Sequence, residues 1–171
     1  MRTLNILIFI CLLSACKTEE KVIEKPKYLR WVGDIEQDLT KDAKQFELCN
    51  TEAEAFQYFN THKGFRYKGE KKALVETFNK KYRPLNGKKQ NGWIRIRFIV
   101  NCKGEAGRFR VIQSNENYEE FEFDKKVVEQ LLKITKSLKG WETLEHKGTA
   151  IDYYLYLIFK LEDGTIKEIL P

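Results

Sequence analysis

The chain has 171 residues and a mass of 20.3 kDa, which fits one domain of ordinary size with short extensions. Hydrophobic residues make up 42% of the chain and aromatic residues 13%, and this composition excludes a fully disordered or fibrous protein. The formal net charge is +6 and is unevenly spread, because residues 63–110 hold 15 basic but only 3 acidic side chains.

The first 15 residues have the layout of a secretory signal peptide. Arg2 gives a positive start, an apolar run follows from Ile6 to Leu13, and small residues precede Cys16. Leu13-Ser14-Ala15-Cys16 resembles the lipobox of bacterial lipoproteins, and this resemblance implies cleavage before Cys16 and acylation of its sulfur, for example with palmitate. An ordinary signal peptide with an incidental cysteine is the alternative. We expect residues 1–15 to be removed and the mature chain to be lipid-anchored at the outer membrane of the cell envelope.

Residues 16–48 are predicted to form a tether and then an arm that packs on the folded domain. Glu19 and Glu20 resemble the surface-export signal of Bacteroidetes lipoproteins, although a merely solvated, charged tether fits as well. Both periplasmic and surface-facing orientations therefore stay open. An exported protein meets lipid phosphates, acidic glycans and acidic proteins first, so we expect no nucleic-acid partner despite the basic charge. The apolar positions of the arm are Tyr28, Leu29, Trp31, Val32, Ile35, Leu39 and Phe46.

Two cysteines, Cys49 and Cys102, remain in the folded part once Cys11 leaves with the signal peptide and Cys16 carries lipid. In an oxidising compartment they predict one disulfide, with two buried thiols as the alternative. These cysteines and the two histidines, His62 and His146, show none of the paired spacings of zinc sites. We therefore expect neither a metal nor a cofactor.

Two short helices are predicted at the start of residues 49–171, which form the domain. Thr51 followed by Glu54 is a capping-box pattern and predicts a helix to about Asn60. Apolar residues spaced by four predict a second helix over residues 69–82, which Pro84 prevents from continuing.

From Trp93 the hydrophobic period changes to two, which predicts a β-strand to Val100 and, after a Gly-containing turn, a partner strand over residues 108–114. Asp124 is the predicted N-cap of a long amphipathic helix to about Leu138. Alternation over residues 153–161 and the Asp163-Gly164 turn then predict a final hairpin. The predicted fold class is α+β: a small two-layer sandwich in which an antiparallel β-β-α-β-β sheet is backed by the long helix.

The ordered set of elements over residues 65–162 resembles the C-terminal domain of TonB as Bacteroidetes envelope proteins carry it. The residues that carry this resemblance are the Phe65–Leu74 segment, Gly92–Gly104, the helix after Asp124, Gly140-Trp141, Lys147-Gly148 and the Tyr153–Phe159 strand. The resemblance implies an antiparallel sheet backed by a helix and a role in binding a protein partner. The Pro-rich span and inner-membrane helix of an energy transducer have no counterpart here, so an accessory role in outer-membrane transport is the expectation.

Four arginines form the candidate binding site. Arg95 and Arg97 share the non-core face of one predicted strand, and Arg108 and Arg110 share that of its hairpin partner. Four guanidinium groups on one face predict binding to an anionic glycan or a lipid phosphate. Alternatively, Asp152 and the acidic loop neutralise them.

No sequence pattern predicts catalysis. Nothing resembles a nucleophile with its base, a phosphate-binding Gly loop or a metal cage, and the acidic run at residues 119–124 reads as a loop and helix cap. The leading hypothesis is a non-enzymatic, lipid-anchored envelope protein that binds a partner polypeptide at a sheet edge. Binding of anionic glycan or lipid phosphate through the basic face is the alternative.

Overall fold

The computed structural model describes residues 35–51, 54–61, 64–85 and 90–171. The predicted signal peptide, Cys16 and the first part of the arm lie outside these residues. In chain order the described elements are β1 (Phe56–Gln57), a 3-10 helix (Tyr58–Thr61), α1 (Glu70–Lys81), β2 (Gly92–Val100), β3 (Ala106–Ser114), α2 (Lys125–Lys136), β4 (Leu144–His146), β5 (Thr149–Ile151), β6 (Tyr153–Glu162) and β7 (Thr165–Leu170).

Five strands form one mixed sheet in which β2 lies between β3 and β6 and is antiparallel to both. The outer side of β6 is shared by two short strands, since β1 pairs with Tyr153 and Tyr154 in parallel while β7 pairs with residues 158–162 in antiparallel fashion. The α+β class is confirmed. The expectation of a wholly antiparallel sheet is wrong, because β1, which no sequence pattern indicates, pairs with β6 in parallel.

The helix predicted from Thr51 to about Asn60 is not formed. Half of its capping box exists, because the Glu54 carboxylate accepts hydrogen bonds from both the backbone N–H (3.1 Å) and the hydroxyl (2.8 Å) of Thr51. Phe56, however, donates its N–H to the Asp152 carbonyl and starts β1. A helix this short is marginal on its own, so pairing with the first two residues of β6 prevails.

The main core lies between the sheet and both helices. On β2 the alternate residues Ile94, Ile96, Phe98 and Val100 are fully buried, as the period of two predicts. Leu74 and Phe78 of α1, Val127 and Leu131 of α2, and Leu155, Leu157 and Phe159 of β6 belong to the same cluster. The sheet is backed by the long helix α2, as predicted, and α1 packs against the same face.

Two hairpins are closed by residues in the left-handed region. Asp163 (φ 47°) and Gly164 (φ 72°) connect β6 to β7 as predicted. Lys147 (φ 50°) and Gly148 (φ 79°) connect β4 to β5, a small separate hairpin that the sequence analysis missed because each strand has only three residues.

The other face of the sheet is covered in part by the described portion of the arm. Ile35 and Phe46 form a second, smaller apolar cluster with Ile99 of β2 and Tyr154 of β6. Ile35 and Phe46 thus place this portion of the arm against the sheet.

Candidate functional site

The base of the arm is fixed by a disulfide and a buried carboxylate. Cys49 and Cys102 form the predicted disulfide, which joins the end of the arm to the turn between β2 and β3. Asp152 is fully buried, and its carboxylate accepts hydrogen bonds from the backbone N–H groups of Cys49 (2.9 Å), Asn50 (2.8 Å) and Cys102 (3.0 Å). One carboxylate thus ties together the two chain segments that the disulfide cross-links.

Cys49, Cys102 and Asp152 also make up the one group of potential metal ligands that comes together in the described parts of the chain, with ligand atoms within 4.8 Å of one another. Metal binding by cysteine requires the thiolate. Here the two sulfurs are bonded to each other, so this cluster serves as a cross-link.

Arg108 and Arg110 of β3 are engaged by the arm. Arg110 forms a two-pronged ion pair with Asp42, with N–O distances of 2.6 and 2.8 Å, and its guanidinium also donates to the Glu36 carbonyl (2.7 Å). Arg108 donates to the Ile35 carbonyl at 3.2 Å. The side chain of Asp42 is 4% exposed. Two of the four predicted anion-binding residues therefore hold a segment of the same chain.

A β-bulge in β3 accounts for the direction of the Arg108 side chain. The pairing of β2 with β3 shifts register between Arg97 and Ile99, so that Arg108 and Phe109 of β3 both lie opposite Phe98. Arg108 has φ 53° at this bulge. Such a bulge bends its strand and redirects side chains. Phe109 therefore stacks on the core residue Phe98 (ring centroids 5.2 Å), while Arg108 turns towards the arm.

Arg95 lies at the other end of β2, beneath the acidic loop after β3. It donates a hydrogen bond to the Ser114 hydroxyl (3.2 Å), and its guanidinium carbon lies 5.7 Å from the ring centroid of Tyr118 and 5.9 Å from that of Trp93. The Trp93 and Tyr118 rings stack nearly parallel, at an angle of 9°. Tyr118 reaches this position with φ 64°, an uncommon conformation for a large side chain.

The arginine face is thus divided between two covering segments. Arg97 is buried between them, and a groove of about 660 Å³ next to it is lined by arm residues 35–39, Arg97 and Arg110. The Asp152 carboxylate, predicted as a neutralising partner, instead binds backbone N–H groups, while Asp42 neutralises Arg110. Asp42 and Tyr118 are not among the residues that the sequence predicts for this face. An acidic residue in an arm predicted to cover a basic face was the available signal for Asp42.

The Asp42–Arg110 pair makes the stability of the arm dependent on pH. Hydrogen bonds from Arg110 hold the pKa of Asp42 below its ordinary value of 3.8. A carboxyl group whose pKa is lowered by folding stabilises the folded state above its unfolded pKa, and this contribution disappears as the pH falls through the folded pKa. We expect Asp42→Asn to cost about 2 kcal/mol at pH 7. Urea unfolding at several pH values should show this difference narrowing below pH 3.8. A difference independent of pH would contradict the ion-pair account.

Gly107 of β3 is a steric requirement for seating the arm. A Cβ atom at this position would collide with the ring of Phe46. We expect Gly107→Ala to displace Phe46 and to lower the free energy of unfolding by about 1–3 kcal/mol, measured by urea denaturation. In a Phe46→Ala background the same substitution should cost little, and an equal cost in both backgrounds would contradict this explanation.

The two long edges of the sheet differ in how they are occupied. The outer side of β6 is taken by β1 and β7, so the chain's own last strand fills that edge. Within the described residues, β3 pairs on its outer side only at its end, through a bridge between Ser114 and Glu120. The middle of β3 is therefore the longest stretch of strand edge without a partner strand in the described structure.

Comparison of the chain with protein-family models, curated proteins and solved structures found no match. Among the described residues, no helix has the length and hydrophobicity needed to cross a membrane.

Proposed function

We propose that this chain is a non-enzymatic, lipid-anchored protein of the bacterial outer membrane whose TonB C-terminal-like domain binds a partner polypeptide. The lipobox-like sequence ending at Cys16 supports the anchor. The order α1-β2-β3-α2-β6, with β2 antiparallel to both β3 and β6, supports the likeness to the TonB domain. The expected role is accessory to outer-membrane transport.

The unpaired outer edge of β3 is the observation that carries this proposal. A strand edge presents a row of backbone N–H and C=O groups that an extended peptide can complete. The outer side of β6 is already filled by β1 and β7, and β7 itself offers an edge of six residues where β3 has nine, so strand addition is directed to β3. Phe109 and Val111 of β3 and Val128 and Leu132 of α2 are half-buried and pack against the main core. They give the added strand apolar side chains to contact.

The proposal is tested by photo-crosslinking in living cells, with a photoreactive amino acid at Ile112 of β3 or at Lys167 of β7. Lys167 is the matched control, because it lies on an exposed strand at the opposite edge of the sheet. We expect a discrete protein adduct from Ile112 that is absent from Lys167 and is lost when Cys16→Ala removes the anchor. No adduct at Ile112, or the same adducts from both positions, would contradict binding at the β3 edge.

Anionic glycan or lipid phosphate is the less supported ligand. Arg108 and Arg110 already donate to the arm, and Arg95 lies against Tyr118 and Trp93. An anion that used all four guanidinium groups would have to displace both covering segments. The charge reversals Arg95→Glu and Arg97→Glu would abolish salt-sensitive retention on acidic glycan if this ligand were bound there.

A further inference from the structure

The arm is held on the sheet in the way a bound peptide is held. Its described hydrogen bonds with β3 come from arginine side chains, which donate to the main-chain carbonyls of Ile35 and Glu36 and to the carboxylate of Asp42. Backbone carbonyls are common to every peptide, so this recognition demands a carboxylate at one place, which the arm presents from a turn closed by the Asp42 N–H and the Asp38 carbonyl (2.8 Å).

Two apolar side chains flank the ion pair and complete the attachment. Ile35 is 3% exposed and Phe46 is 8% exposed, and both pack in the cluster that contains Ile99 and Tyr154. Phe46 rests on Gly107, where the lack of a side chain leaves room for a ring. The surface thus offers an apolar cluster for these two side chains in addition to the Arg110 guanidinium.

The charges of the two partners are complementary. The face beneath the arm presents Arg97, Arg108 and Arg110, whereas arm residues 35–48 contain four acidic side chains and two lysines. Opposite charges across an interface favour encounter and fix the register of the segment that binds. A buried ion pair adds more to such selectivity than to stability, because apolar residues of similar size stabilise a protein as well.

The arm is covalently fixed at its C-terminal end, where Cys49 is bonded to Cys102. Beside its other end lies the groove of about 660 Å³ that reaches Arg97 and Arg110. A competing segment can therefore approach the key guanidinium groups from this groove while the arm is still in place.

We propose that the face of β2 and β3 beneath the arm is a docking surface for an acidic segment of a partner protein, and that arm residues 35–48 occupy this surface in cis. This surface is the face of the strands rather than the outer edge of β3, so the inference stands apart from strand addition. Binding in trans requires the arm to leave, and a tethered competitor acts at an effective concentration in the millimolar range.

The test uses the purified full-length protein and a fluorescent synthetic peptide with the sequence of residues 35–48, followed by anisotropy. We expect weak binding to the wild type and at least about tenfold tighter binding to Asp42→Asn, because the weakened arm occupies its site for less of the time. Ile35→Ala loosens the arm without touching Arg110 and should give the same direction of change. Lys41→Ala, at an exposed position of the arm, is the control and should bind as the wild type does.

The affinity of the peptide must depend on the same Asp42–Arg110 ion pair. A peptide carrying Asp42→Asn should bind the Asp42→Asn protein without the gain in affinity that the original peptide shows. An Arg110→Gln protein should bind the original peptide no better than the wild-type protein does. Failure of both Asp42→Asn and Ile35→Ala to tighten binding, with the fold retained by circular dichroism, would overturn the proposal. A wild-type dimer that depends on Asp42 would also overturn it, because a second copy of this chain would then be the occupant.

Discussion

Replacing Asp152 with alanine should lower the free energy of unfolding by about 3–5 kcal/mol, measured by urea denaturation. The Asp152 carboxylate is fully buried and accepts three backbone N–H groups, from Cys49, Asn50 and Cys102. Alanine would leave these partly buried donors without their acceptor. Each unsatisfied buried donor costs about 1–3 kcal/mol, and partial relaxation reduces the sum.

Two further variants distinguish the loss of the hydrogen-bond acceptor from the effect of replacing an aspartate elsewhere in the domain. Asp152→Asn keeps one carbonyl acceptor, so its free energy of unfolding should fall between those of the wild type and Asp152→Ala. Asp163→Asn changes an exposed aspartate in the β6–β7 turn to a residue that tolerates its positive φ, so it should be close to neutral. A cost below about 1 kcal/mol for Asp152→Ala would show that the three donors find other acceptors.

Removing the disulfide by the paired substitutions Cys49→Ser and Cys102→Ser should lower the free energy of unfolding by about 4 kcal/mol. The two cysteines are 53 residues apart, and a cross-link across a loop of that size restricts the unfolded chain considerably. Denaturant unfolding of the wild type in the presence and absence of a dithiol reductant should show the same loss. Equal stability of the oxidised and reduced proteins would contradict this prediction.

The two changes should not be independent of each other. The N–H groups of Cys49 and Cys102 reach Asp152 in the arrangement that the disulfide imposes, so we expect the combined loss to be smaller than the sum of the separate losses. A double-mutant cycle between Asp152→Ala and the paired serine substitutions measures this coupling. Strict additivity would mean that the carboxylate and the disulfide act separately.

Elements that depend on local signals were predicted well. The alternation along β2 and β6, the Asp124 cap and the Asp163-Gly164 turn each act within a few residues, and each is present in the structure. Asp124 accepts the N–H of Lys126 at 2.9 Å, as an N-cap should. The pairing of Cys49 with Cys102 followed from there being no other cysteine in the folded part.

Elements that depend on distant partners were not predicted. Phe56 and Gln57 become β1 because the start of β6 pairs with them, and no pattern within residues 51–60 reveals that strand. The arrangement of the candidate site depends on distant partners too. Asp152 follows β5 directly in the sequence, and its role as acceptor for Cys49, Asn50 and Cys102 requires segments 50 or more residues away. The division of the four arginines between the arm and Tyr118 likewise depends on tertiary packing.

The disulfide also decides how the domain responds to a mechanical load. A pull on the chain ahead of Ile35 would peel the arm away contact by contact, passing the Asp42–Arg110 ion pair and then Phe46. At Cys49 the peeling stops, because the covalent bond carries the tension directly to Cys102 at the end of β2. The loop between the two cysteines contains β1, α1 and β2 and is shielded from that tension. Under a pull from the proposed lipid anchor, this bond therefore separates a segment that yields under force from a domain core that does not.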